Sequence, residues 1–147
     1  MKSKNIMELR ILSLSANEGF ARSVVGAFAA QLNPTVEEIA DIKTAVSEAV
    51  TNAIVHAYPK KKGDISIFAE LFEERIVVKI TDYGVGIENI DEARQPFFST
   101  SKDELRSGMG FTVMETFMSK ITVDSKKGYG TAVTMEKSLA EAGQRNE

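Results

Sequence analysis

Residues Met7 to Ser15 alternate between apolar and polar, with apolar positions on both sides near Ile11 to Leu14, a pattern that predicts a strand. Asn17 is a candidate cap for a helix carrying Phe20, Val24, Ala27, Phe28, Gln31 and Leu32 on one side, with Arg22, Ser23 and Gly26 largely on the other. Asn33-Pro34 closes that helix. Thr35-Val-Glu-Glu38 has the form of a capping box and opens a second, longer helix that runs to about Ala57, where Tyr58-Pro59 stops it. Two strands follow, Ile65 to Phe72 and Arg75 to Thr81, joined at Glu73-Glu74 as a hairpin. The stretch from Asp82 to about Gly110 reads as a long loop with room for a short helix near Ile87 to Ala93, and loops of that length usually carry function. Phe111 to Ser119 is helical in pattern and Ile121 to Ser125 a strand, and Lys126 to Gly130 turn into a closing strand from Thr131 to Glu136. From Lys137 the tail is polar, expected to be frayed or weakly helical. The order predicts an α/β (α+β) two-layer sandwich, its sheet mostly antiparallel and covered by helices on one face.

Composition narrows the chemistry. At 147 residues the chain is expected to form a single domain over positions 1–147, able to bury about two thirds of its unfolded surface. It has no cysteine, which excludes disulfides, thiolate zinc sites and cysteine nucleophiles, and its single histidine excludes a His-rich metal cluster. Eighteen Lys and Arg against 21 Asp and Glu give a net charge of −3 without a long block of one sign, so direct nucleic-acid binding is not expected. No apolar run approaches the ~20 residues of a membrane span, and Met-Lys-Ser-Lys-Asn leads into a strand, not a signal-peptide core. The expectation is a cytoplasmic protein without membrane contact.

Glu48 and Asn52 lie four apart and project from one helical face, with His56 continuing the stripe and Asp41, Thr44, Ser47 and Thr51 completing a polar arc. A solvated helix face would look similar, but this arc is built of short polar groups and the rest of Ala45 to Val55 is strongly apolar. A glutamate can act as general base on a water or hydroxyl, and an asparagine oxygen suits a hard ion such as magnesium. His56 reads as a helix-end residue. Asp82 closes the apolar run from Ile76 to Thr81, where a carboxylate is costly unless hydrogen-bonded. Such a group can accept the exocyclic amine of adenine, with Gly84 and Gly86 letting the backbone pass close to the base. Asp and Gly also build ordinary turns, and on their own these three residues leave both readings open.

Gly108-Met109-Gly110-Phe111 falls where the long loop meets a helix, and glycines at a helix N-terminus free backbone N–H groups to hold phosphate. A flexible junction is the competing reading. Upstream, Thr100, Ser101, Lys102 and Arg106 supply hydroxyls and two cations suited to a phosphate-covering lid. The P-loop and Gly-x-Gly-x-x-Gly patterns of the two commonest nucleotide folds are absent.

Together these motifs resemble the GHKL superfamily of gyrase B, heat-shock-90 chaperones, histidine kinases and mismatch-repair ATPases. Glu48 and Asn52 match its N box, Asp82, Gly84 and Gly86 its G1 box, Gly108 and Gly110 its G2 box, and Gly130-Thr131 its terminal Gly-Thr element. The match spans about Thr35 to Glu136, and Ser47 to Tyr58 and Gln95 to Ser101 look like the anti-sigma factor kinases. The resemblance implies a Bergerat fold and a site for ATP or ADP with Mg, in which Glu48 is catalytic and Asn52 holds the ion. Asp82, Gly84, Gly86, Thr100, Ser101, Lys102, Arg106, Gly108, Met109, Gly110, Phe111 and Thr131 would contact nucleotide. It further implies a homodimer that sequesters a sporulation sigma factor and phosphorylates a serine of an anti-anti-sigma protein. None of those partners follows from composition or spacing.

Within the superfamily the chain itself favours the serine kinase branch. Its one histidine ends the N-box helix with no dimerisation hairpin before it, and 147 residues leave no room for a transducer domain. Two alternatives stay open: a nucleotide-gated binding module without phosphoryl transfer, and the same kinase directed at a stress-response sigma factor. Partners would dock on the exposed surface, where Arg22 lies away from the Phe20 and Val24 stripe, between the small residues Ser23 and Gly26. Arginine is enriched among interface hot spots, although a solvated arginine is the plainer reading.

Overall fold

The computed structural model describes residues 2–59, 61–87, 89–94 and 110–140. Strand β1 (Asn5–Leu12) leads into helix α1 (Ala16–Ala29), which tightens into a 3-10 turn at Ala30–Leu32. Helix α2 (Val36–Asn52) continues as one π turn over Ala53–Ala57. Strands β2 (Asp64–Leu71) and β3 (Arg75–Asp82), the short helix α3 (Ile90–Ala93), helix α4 (Gly110–Phe117) and strands β4 (Lys120–Lys126) and β5 (Gly130–Ser138) complete the order. The five strands form one antiparallel sheet in the order β1-β2-β3-β5-β4. This is the two-layer sandwich expected, with the helices on one face.

The period-2 pattern explains the layering. Ile65, Ile67, Ala69 and Leu71 of β2 pair with Asp82, Ile80, Val78 and Ile76 of β3 on the core face, while Ser66, Phe68 and Glu70 point the other way. Ile42, Val46 and Val50 of α2 are fully buried in the same core cluster. Each such side chain contributes about 1.5–3 kcal/mol relative to exposure. The capping box forms as read: Thr35 Oγ1 accepts from the Glu38 N–H at 3.0 Å, and Glu38 Oε1 accepts from the Thr35 N–H at 2.8 Å.

Three boundaries differ from expectation. β1 ends at Leu12 because the chain turns there, with Leu14 N–H bonded back to the Leu12 carbonyl, and Ser15 occupies the N-cap position of α1. Asn17 lies inside the helix and its amide donates to Leu12 O at 3.0 Å. The buried side of α1 holds Ala21, Val25, Gly26, Phe28 and Ala29, and Phe20 is exposed. α1 packs on α2, and Gly26 lies under the Lys43 side chain, where an added Cβ would stand 3.0 Å from its methylenes. At the other end, β5 runs on to Ser138, past the expected Glu136. Lys137 is held in β5 by donating to Asp41 Oδ2 of α2 at 3.0 Å and to the Phe117 carbonyl of α4 at 2.6 Å. Leu139 is buried, and the Ala140 N–H donates to Glu38 Oε2 at 2.8 Å.

Candidate functional site

One row of side chains crosses the sheet on its core face where β3 ends. Ser125 of β4 lies opposite Thr131 of β5, which lies opposite Asp82 of β3, which lies opposite Ile65 of β2. Asp82 is 8% exposed and is the buried charged residue among those described. Its Oδ1 accepts from the Gly84 N–H at 3.0 Å and the Thr131 N–H at 3.2 Å. Burial pushes its carboxyl above the usual carboxylate range, against the two amide bonds that pull it down. A carboxylate held this way keeps an oxygen available to other donors.

The loop that follows is fixed by backbone contacts. Val85 N–H donates to the Ala57 carbonyl, and a Cβ on Gly84 would lie 2.0 Å from that same oxygen. Gly86 has φ +74, and a Cβ there would meet the Lys126 carbonyl at 2.2 Å. Both glycines therefore answer first to protein backbone, a demand the sequence reading assigned to an approaching base. Tyr58 buttresses the loop: its hydroxyl donates to Asp64 O at 2.7 Å and accepts from the Tyr83 N–H at 2.8 Å. Burial raises the Tyr58 phenol, and the nearby Asp82 and Asp64 add to this.

The helical side meets this row through Ala57. Glu48 and Asn52 sit one turn apart near the C-terminus of α2, both half-buried, and His56 lies in the π turn that ends the helix. π turns concentrate at functional sites because they reset the direction of the side chains around them. Asn52 Oδ1 is buried and has no hydrogen-bond partner among the described residues. Gly110, the first residue of α4, is buried against it, and a Cβ there would come 2.8 Å from Asn52 Nδ2. Phe111 packs on the core. The start of α4, the end of α2 and the loop after β3 thus converge, bringing Glu48, Asn52, Asp82, Gly84, Gly86, Gly110, Phe111 and Thr131 to one end of the sandwich.

Thr100, Ser101, Lys102, Arg106, Gly108 and Met109 lie outside the described residues. Arg22 stands apart on α1, where Nη1 lies 3.3 Å from Glu18 Oε2, and the same Glu18 oxygen accepts from Ser47 Oγ at 2.6 Å. Burial of Gly26 under Lys43 removes one of the two small neighbours that suggested an open surface around Arg22; Ser23 remains exposed.

The residue missed from sequence is Ser125. Its Oγ accepts from the Ile87 N–H at 2.7 Å, donates to the Gly130 carbonyl at 2.9 Å and lies 2.7 Å from Thr131 Oγ1. The signal was available in the hairpin: the turn from Lys126 to Gly130 sets Ser125 directly opposite Thr131.

Comparison with known proteins gives this arrangement a class. A family model described as a histidine kinase-like ATPase domain matches residues 13–137. An anti-sigma F factor of Caldanaerobacter subterraneus is 58% identical over 137 residues, covering 93% of this chain and 96% of the relative. One from Thermoanaerobacter sp. matches with the same identity and coverage. The chain belongs to the histidine kinase-like ATPase family and, within it, to the anti-sigma F factors. In fold it is similar to a crystal structure of the RsbU and RsbW domains of a Mycobacterium tuberculosis protein, with a TM-score of 0.68 and 21% identity over 92% of this chain. This chain spans 33% of that longer one. The shared architecture is the Bergerat fold. Among the described residues no helix is long and apolar enough to cross a membrane.

Proposed function

We propose that the protein binds Mg-ATP at this end of the sandwich, antagonises a sigma factor, and transfers phosphate to a serine of an anti-anti-sigma protein. The observation that carries the reading is the buried Oδ1 of Asn52, unsatisfied among the described residues, one turn from Glu48 and against the first residue of α4. A buried polar atom left without a partner costs about 1–3 kcal/mol, and a ligand that occupies it accounts for its retention.

The residues fit the cofactors. No group of three His, Asp or Glu side chains capable of holding a metal occurs among the described residues, so a magnesium ion would rest on Asn52 Oδ1 together with phosphate oxygens. Once bound, such an ion neutralises charge on the transferring phosphoryl group. Asp82 offers a fixed acceptor for an adenine amine. Glu48 orients the incoming serine hydroxyl and takes its proton as the serine oxygen bonds to the γ-phosphorus and the bond to ADP breaks. The names of the relatives support the sigma-factor partner. The homodimer and the sporulation branch belong to the same proposal on the resemblance set out above, and the cytoplasmic location and docking of a partner at Arg22 on the sequence pattern.

The test is incubation of the protein with labelled ATP, Mg and a lysate of its host, followed by mass spectrometry of the labelled band. One acceptor carrying phosphoserine is expected. Glu48→Gln should keep ATP affinity and cut transfer by about 10²-fold or more, the usual effect of losing a positioned base. ATP binding without transfer would make the chain a nucleotide-gated binding module, and near-normal transfer in the variant would remove Glu48 from the mechanism.

A further inference from the structure

We infer that Ser125 sets the base specificity of the nucleotide pocket by fixing the Thr131 hydroxyl as a hydrogen-bond acceptor, so that the site takes a 6-aminopurine and rejects a 6-oxopurine. The inference rests on the nucleotide-binding reading above and assigns a determinant to it.

Ser125 Oγ has three partners within 2.9 Å: the Ile87 N–H, the Gly130 carbonyl and the Thr131 hydroxyl. A hydroxyl carries one hydrogen and two lone pairs. The amide can only donate, so it takes a Ser125 lone pair. The carbonyl can only accept, so it takes the Ser125 hydrogen. One lone pair is left for Thr131, whose own hydrogen must point at it. This is the one assignment of protons that satisfies all three contacts. Giving the Ser125 hydrogen to Thr131 would leave lone pairs facing one another across the 2.9 Å to Gly130.

The consequence falls on the pocket. With its hydrogen directed to β4, Thr131 presents lone pairs alone to a ligand. Its neighbour across the sheet, Asp82, is also an acceptor, and the two amide bonds it receives both fall on Oδ1. A pair of acceptors suits an amino group, which has two N–H donors, directly or through a bound water. A 6-oxo group brings an acceptor to the same place and leaves buried polar atoms without partners, the arrangement by which hydrogen-bonding sites reject analogues most strongly. Ser125 would touch no ligand in this scheme. It is a positioning residue, acting through Thr131.

A purely structural Ser125, tying the loop at Ile87 to the β4–β5 hairpin, would affect all nucleotides alike. The deciding quantity is therefore a ratio. Affinities for ATP and inosine triphosphate are measured by calorimetry with Mg for wild type, Ser125→Ala and Ser125→Cys; the cysteine retains the side chain while supplying a weak donor and acceptor. Wild type is expected to prefer ATP, and the preference should fall about tenfold in both variants, the scale of one hydrogen bond, because a released Thr131 hydroxyl can turn and donate to a 6-oxo group. In a Thr131→Val background, Ser125→Ala should cause no second loss of preference, as expected for residues acting as one unit. A wild type indifferent to the 6-substituent, or variants that weaken both nucleotides equally, overturns the inference while leaving nucleotide binding intact. A wild type that binds neither nucleotide refutes the proposed function, and this inference falls with it.

Discussion

At the sheet end of the site, around Asp82, the protein fixes its polar groups through its own hydrogen bonds: two amides on one carboxylate oxygen, a serine with three partners, a tyrosine tying two backbone groups. At the helix end, around Asn52, a buried oxygen is left open and the helix widens into a π turn. The first region is a rigid template whose shape exists before any ligand. The second holds a polar group whose partner the described residues do not supply. Under the proposed function, recognition of a flat, uncharged base would be served by the former, because every misplaced acceptor would weaken discrimination. Handling a charged, moving phosphoryl group would, under the same proposal, be served by the latter, where interaction energy is realised when ligand arrives.

The comparison breaks most visibly if the template is deformed. Gly84→Ala forces a Cβ to within 2.0 Å of the Ala57 carbonyl, backbone against backbone, so neither side can yield cheaply. Urea denaturation should report a loss of more than about 3 kcal/mol, in the range reserved for severe steric clashes. A loss below about 1 kcal/mol would mean that the loop after β3 is free to move, and the rigid template would be gone.

Asp82→Asn separates recognition from stability. The amide oxygen can still accept from Gly84 and Thr131, yet the variant should bind ATP more weakly by about 1.5–3 kcal/mol, the scale of a charge-assisted hydrogen bond. Folding should respond in the opposite sense. Because burial raises the Asp82 carboxyl, the folded state holds its proton more tightly than the unfolded chain does. The contribution to stability is thus present below the unfolded value and is lost as pH rises through the raised one. Wild type should lose stability relative to Asp82→Asn across a window just above the usual carboxylate range and stay parallel to it at higher pH. Unchanged ATP affinity would make Asp82 a turn residue.

Arg22 offers the smallest effect. Arg22→Ala should weaken a protein partner by about 2 kcal/mol and leave ATP affinity alone. Loss of its half-buried pair with Glu18 should change stability by about 1 kcal/mol or less. Partner binding curves that match wild type would return Arg22 to the solvated surface.

What could be read from sequence follows the range of the interactions concerned. The capping box at Thr35 and Glu38, the hairpin at Glu73-Glu74 and the i,i+4 pair of Glu48 and Asn52 are local, and all took the form expected. The side of α1 that is buried was misjudged because it depends on α2, in particular on Lys43 lying over Gly26. The extension of β5 through Lys137 and Ser138 was not expected because Lys137 finds its partner 96 positions away at Asp41. Ser125 was passed over because its importance comes from strand register and from Ile87, 38 positions earlier. Residues with a familiar motif stood out, whereas the residues that hold them in place did not.

If the open oxygen of Asn52 serves a metal-bound nucleotide, calorimetric titration of ATP into wild type and Asn52→Ala, with and without Mg, will separate the two proteins. The account predicts that Mg strengthens ATP binding to wild type and has little effect on the variant, a difference of about tenfold or more, the scale of a lost contact to a charged group. Without nucleotide the variant should be no less stable than wild type by more than about 1 kcal/mol, since no described residue bonds to the oxygen removed. Mg dependence that is identical in the two proteins, or a variant that unfolds easily yet binds Mg-ATP as wild type does, would contradict it.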